Sequence, residues 1–199
     1  MITNLFQQNI ILEDKIALLR PLLKEDIQYL LPFALNEPDL WPYALQNPAG
    51  EEGMRSWLDR ALKNKADEKE YPFIIFDKRV GDYAGSTRFS DIQTADKTTQ
   101  ISYSWYGKVF QRTGLNRHCK FLLLQFCFEE WDMERVELRA DVYNIKSIEA
   151  IKALGCAIEG VLRSDKLTDR GIRRSSMVFS ILKEEWFKGA KGNLRSKIY

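Results

Sequence analysis

The sequence predicts one α/β domain over residues 1–199, a mixed layer fold of about seven strands and four helices. Three observations carry that expectation. The 199 residues, 45% hydrophobic and 29% charged, suffice for one sizeable core but hardly for two. Apolar residues recur with period 2 in some segments and near 3.6 in others. The two periods interleave along the chain with no internal repeat, low-complexity tract or linker, as expected when strands and helices pack in layers.

The elements follow in order. "KIALLRPL" reads as the first strand, ended by Pro21. "LKEDIQYLLPFAL" spaces Ile27, Leu30, Leu31 and Ala34 along a helix, which Pro32 should kink or restart. "NEPDLWPYALQNPAG" holds three prolines and reads as a loop, with Trp41 and Tyr43 unusual for a mere connector. Met54, Trp57, Leu58, Ala61 and Leu62 mark a second helix. "YPFIIFD" is the continuous apolar run of a strand buried on both faces. The turn "DKRVGD" then leads into an antiparallel partner, "YAGSTRFSDI".

"TTQISYSWYG" alternates, which puts Ile101, Tyr103 and Trp105 on one face. "LNRHCKFLLLQFCFEEW" carries two apolar stripes and reads as a helix buried by more than one neighbour, with Glu129 and Glu130 as a solvated end. "RVELRAD" is a strand, "NIKSIEAIKALG" a helix stopped at Gly155, and "CAIEGVLR" and "SSMVFSIL" the last two strands. The basic stretches "RSDKLTDRGIRRSS" and "KGAKGNLRSK" read as solvated loops.

Composition excludes some classes. A net charge of +2, from 30 basic and 28 acidic residues, gives no global field for nucleic acid or a membrane surface. No run approaches 18 apolar residues, and "MITNLFQQNIILEDK" lacks the pattern of a signal peptide. Cys119, Cys127 and Cys156 are odd in number, without a C-x-x-C and in apolar surroundings. They read as reduced, buried thiols of a cytoplasmic protein that holds no metal.

One stretch carries chemistry. In "QRTGLN", Gly114 stands where strand periodicity gives way to helical periodicity. A helix amino terminus presents unpaired N–H groups and a positive dipole end, and a residue without a β-carbon lets a phosphate approach them. Gln111, Thr113 and Asn116 add neutral donors, and Arg112 a guanidinium. Both common nucleotide fingerprints, G-x-x-x-x-G-K-[ST] and G-x-G-x-x-G, are absent. Taken alone, the glycine could equally just turn the chain into the helix.

With its surroundings, the stretch resembles the GNAT superfamily of N-acetyltransferases, whose signature is Q/R-x-x-G-x-G/A between the fourth strand and third helix. Gln111, Arg112, Thr113, Gly114 and Leu115 match it, with Asn116 in the last place. Asn144-x-x-Ser147, "ALG", and Glu159-Gly160 followed by Arg163 resemble the RimJ/RimL-like branch that acetylates ribosomal-protein amino termini. The resemblance is strongest over residues 80–186.

It implies a sheet splayed between its fourth and fifth strands, and acetyl-CoA as acyl donor. Residues 111–116 and Asn144 would hold that donor, and a backbone N–H near Trp105 or Tyr106 would polarise the thioester. Ser147 would serve as acid, since the tyrosine used by many relatives is Ile151 here. Trp41 and Tyr43 would line a site for an amine, either a small molecule or a protein amino terminus. Glu159, Asp91, Asp165, Asp169 or ordered water could act as base. His118 reads as a surface residue or a minor phosphate contact. Dimers are common among relatives. The rival expectations are a noncatalytic acyl-CoA sensor and an enzyme for longer acyl-CoA.

Overall fold

A computed structural model describes residues 5–198. At its centre is an eight-stranded sheet in the order β1-β2-β3-β4-β5-β6-β8-β7. The strands are β1 (Leu12–Glu13), β2 (Ala17–Pro21), β3 (Tyr71–Asp77), β4 (Asp82–Gln93), β5 (Thr98–Tyr106), β6 (Arg135–Asp141), β7 (Ala157–Leu167) and β8 (Arg173–Leu182). Neighbours run antiparallel except β5 and β6, which are parallel. The sheet is thus mixed and mostly antiparallel, as expected, with eight strands in place of seven. The additional one, β1, is two residues long and too short to show a period.

Helices α1 (Ile27–Asn36) and α2 (Gly50–Ala66) pack on one face, and α3 (Leu115–Gln125) and α4 (Ile145–Lys152) on the other. Strand β3 serves both layers. Phe73 and Ile75 point into the α3 side, and Ile74 into the α1–α2 side. Pro32 sits inside α1 without breaking it. Its ring deprives the Gln28 carbonyl of its usual donor, and Gln28 is exposed, so water can serve instead.

Three expectations change. Tyr103 has φ +50°, and the β4–β5 register slips between Ser86 and Arg88. This bulge adds one residue, so the alternation reverses. Ile101 faces the α3 side and Trp105 the α1–α2 side, not one common face. Second, β7 and β8 run on into the stretch read as a basic loop, leaving only residues 168–172 between them.

Third, the tail is helical, in the short segments Lys183–Glu185, Trp186–Ala190 and Lys191–Arg195. Trp186 and Leu194 bury themselves, and Glu129 accepts hydrogen bonds from Trp186 Nε1 and Lys191 Nζ, both at 2.8 Å. Glu129 therefore clamps the tail. Among the described residues no helix is long and apolar enough to cross a membrane.

Candidate active site

The parallel strands β5 and β6 pair only through residues 98–100 of β5. Beyond Gln100 they part, while β6 stays paired with β8 as far as Asp141. Residues 101–106 therefore present an open edge of main-chain groups toward the gap. The β5 bulge brings backbone close to backbone. A β-carbon on Gly85 would lie 2.0 Å from the Trp105 carbonyl oxygen, so only glycine fits opposite it.

The open edge runs into the turn before α3. Gly114 is the residue flanking the helix, at φ +90° with open space where a β-carbon would be. Arg112 is also left-handed, at φ +61°. The N–H groups of Gly114 and Asn116 meet no acceptor among the described residues. Alternating backbone of this kind makes a concave nest of N–H groups that suits an anion.

Two side chains of the turn are already engaged. Gln111 Nε2 donates to the Tyr106 carbonyl at 3.0 Å, and the Thr113 hydroxyl donates to the Phe110 carbonyl at 2.8 Å. Arg79, from the β3–β4 turn, donates to the Thr113 carbonyl at 3.0 Å and to Asp77 at 2.5 Å. Burial pushes the Asp77 carboxyl up, but the Arg79 bonds bring it below its ordinary value. The turn is thus held in shape from behind, and its free donors are main-chain groups together with Arg112.

Helix α4 starts shortly after β6 ends, at the mouth of the same gap. Asn144 caps it, accepting from the Ser147 N–H at 3.1 Å. Ser147 is half-buried and its hydroxyl has no hydrogen-bond partner among the described residues. On the opposite side of β5, Trp41 is buried with its ring centre 5.1 Å from that of Trp105. Tyr43 is more exposed, and its carbonyl accepts from Arg174 at 3.3 Å. The tip of the β7–β8 hairpin is tied to this loop. Asp169 accepts from the Asn47 N–H at 2.6 Å and donates its own to the Leu45 carbonyl at 2.9 Å.

His118 is not a surface residue. It is buried with Nδ1 2.6 Å from Asp14 Oδ2. Asp91 and Glu159 belong to the closed end of the splay, where Glu159 accepts from Ser180. Asp165 lies 3.4 Å from Arg139. All three cysteines are free and buried, and burial pushes the Cys119 and Cys156 thiols up to about 12. They stay protonated at neutral pH, the unreactive form.

Sequence reasoning missed two buried cations. Lys120 is buried on α3 with its ammonium 2.5 Å from Ser104 Oγ on β5, and burial pulls its pKa down to about 8. Arg88 on β4 is wholly buried and paired with Glu70 at 2.7 Å. The only trace of Arg88 in the sequence was a charge in the middle of the strand "STRF".

A sheet splayed beside a glycine turn defines an acyl-CoA type of N-acyltransferase fold. A family model described as an acetyltransferase (GNAT) domain matches residues 17–157, and the chain belongs to that family. YdaF of Bacillus subtilis (strain 168), which carries a provisional ribosomal N-acetyltransferase name, is 29% identical over 106 residues. That match covers 53% of this chain and 57% of YdaF, so the chain spans little more than half of this curated relative. The crystal structure of a provisionally named acetyltransferase from T. thermophilus superposes with a TM-score of 0.85 at 27% identity, covering 95% of this chain and 97% of that one. The microcin C7 self-immunity acetyltransferase MccE, described in complex with acetyl-CoA and AMP, shares the fold with a TM-score of 0.74 at 21% identity, covering 85% and 93%.

Proposed function

We propose that the protein is an acetyl-CoA-dependent N-acetyltransferase that moves an acetyl group directly to a primary amine. The observation that carries this reading is the open β5 edge leading into the Gly114 turn. The fit is chemical as well as topological. A diphosphate needs several donors, and the turn has free N–H groups, an absent β-carbon and a nearby guanidinium. MccE, with the same fold, is described with acetyl-CoA bound.

Acetyl-CoA supplies an activated acyl thioester. In this reading Gly114, Asn116 and Arg112 hold its diphosphate, and the β5 edge aligns its arm. A main-chain N–H at Trp105 or Tyr106 polarises the thioester carbonyl, a bond worth about 3 kcal/mol of barrier in a dry cleft. The Ser147 hydroxyl, uncommitted at the mouth of the gap, protonates the departing thiolate, and water carries the proton lost by the attacking nitrogen back to Ser147. The amine approaches from the Trp41 and Tyr43 side. Direct transfer suits the protonated, buried cysteines, which make poor acyl carriers. The RimJ/RimL-like resemblance and the match to YdaF support a protein amino terminus as the acceptor to test beside small amines.

Thiol release from acetyl-CoA, followed over a panel of amines and short peptides, tests the reading. Turnover is expected with at least one acceptor class. Arg112→Glu should weaken acetyl-CoA binding at least tenfold by calorimetry. Tight cofactor binding with no turnover on any acceptor would point instead to a noncatalytic sensor.

A further inference from the structure

Arg88 has no exposed surface, and its guanidinium carbon lies 4.4 Å from the ring centres of both Trp57 and Tyr103. The two rings account for the faces of the guanidinium. They do not account for its edge. Glu70 takes Nη1, while Nε and Nη2 meet no acceptor among the described residues. The indole N–H groups of Trp41 and Trp105 are likewise buried and unbonded. Trp105 lies 5.1 Å from Trp41 and 6.1 Å from Trp57, so these donors belong to one aromatic cluster. Buried donors in native proteins are nearly always paired, so a group of them without acceptors calls for an explanation, and a bound acceptor supplies one.

Two further guanidiniums lie around this cluster, beside the carboxylates Glu70, Asp141 and Asp165. Arg60, one turn beyond Trp57 on α2, is exposed and has no carboxylate partner among the described residues. It acts on the charge of Arg88. Arg174, at the start of β8, has a buried Nε without a hydrogen bond and its nearest carboxylate, Asp141, 3.9 Å away. Burial and Glu70 push the Tyr103 phenol up, while Arg88, Arg60 and Arg174 pull it down. Tyr103 is the bulge residue of β5, two residues from Trp105 and so beside the segment assigned to the thioester. Trp41 and its loop roof the cluster and are tied to the β7–β8 hairpin through Asp169.

We propose that this face is an oxyanion subsite, and that the acceptor is an amine carrying a carboxylate or phosphate close to the reactive nitrogen. Arg88 meets the anion with its free edge, and the indole donors complete its shell. Arg60 and Arg174 attract it from solvent. The site is assembled from α2, β4, β5, β8 and the α1–α2 loop. An anion held there leaves the amine beside residues 103–106. The proposal rests on the acetyltransferase reading for the transfer itself, but not for the binding of the anion.

Matched acceptors test it: β-alanine, O-phosphoethanolamine and β-alaninamide with acetyl-CoA, and one dipeptide with a free and an amidated carboxyl end. An anionic member of the set is expected to show kcat/KM roughly tenfold or more above its neutral counterpart, because charge-assisted bonds in a desolvated site discriminate strongly. Arg60→Gln, at an exposed position, and Arg174→Gln, at a largely buried one, should each shrink that ratio severalfold through KM, with acetyl-CoA affinity unchanged. Arg88→Lys keeps the charge but loses the two-nitrogen edge and should remove most of the preference if it folds.

Equal kcat/KM for anionic and neutral members, or a ratio unmoved in both Arg60→Gln and Arg174→Gln, overturns the proposal while leaving the transferase intact. Calorimetry with O-phosphoethanolamine or β-alanine in the absence of acetyl-CoA separates the two readings. Anion binding that Arg174→Gln weakens, without turnover of any amine, would support the subsite and overturn the transferase. No binding and no preference would mean that only water meets these donors.

Discussion

On one side of β5 the 111–116 turn offers main-chain donors, with the side chains of Gln111 and Thr113 bonded back to the protein. On the other side the cluster around Arg88, Trp41 and Trp105 offers side-chain donors that meet no acceptor among the described residues. The first is one short stretch of chain, clamped from behind by Arg79. The second is drawn from five separate elements. A site made of backbone needs only the right conformation, so it tolerates varied side chains and depends on a glycine. A site made of side chains depends on packing at long range and is damaged by changes far along the sequence.

Four substitutions sharpen this contrast. Gly85→Ala should have the largest effect, because its β-carbon would meet the Trp105 carbonyl at 2.0 Å. A loss of about 3 kcal/mol is expected in urea unfolding. Near-normal stability would mean that the bulge is not fixed by that contact.

Lys120→Met comes next, with the opposite sign. The folded pKa of Lys120, about 8, lies below its ordinary 10.5, so the unfolded chain binds more protons between those values. Wild-type stability should therefore rise as pH goes from about 8 to 10.5, when the unpaired buried cation is relieved. The variant should lose this rise and be more stable at pH 7 by roughly 2 kcal/mol. A pH profile identical to that of the wild type would show that Lys120 is compensated in the fold.

Gly114→Ala tests the backbone site by itself. The position is open but at φ +90°, so a cost of about 1–2 kcal/mol is expected from strain. A fall in acetyl-CoA affinity should accompany it, and unchanged affinity in a folded variant would break the proposed diphosphate contact. The smallest effect is expected from Asn144→Ala. It removes the α4 cap at a cost of about 0.5–1 kcal/mol in thermal or urea melts.

Much of the fold was legible because burial imposes a period. "YPFIIFD" packs into both layers as its unbroken apolar run predicted, and Val136, Leu138 and Ala140 share one face. The alternation of "ISYSW" misled, because a bulge adds a residue without altering composition, and only the left-handed Tyr103 reveals it. The tail misled for a related reason. "KGAKGNLRSK" has few apolar residues, and what orders it is Trp186 settling against Phe121 and Phe128, 58 to 65 positions earlier in the chain. His118 likewise drew its partner, Asp14, from 104 positions earlier in the chain.

The sequence by itself determined the layered α/β class, the order of nearly all its elements and the glycine turn before α3. Each of these follows from local spacing, which acts over a few residues. Only the tertiary structure decided that the β5 face reverses at Tyr103, that Lys120 and Arg88 are buried, and that donors from distant elements converge on one unfilled cluster. Those features depend on which segments become neighbours in space, and desolvation of a charge or an N–H group is felt only once its neighbours have closed around it.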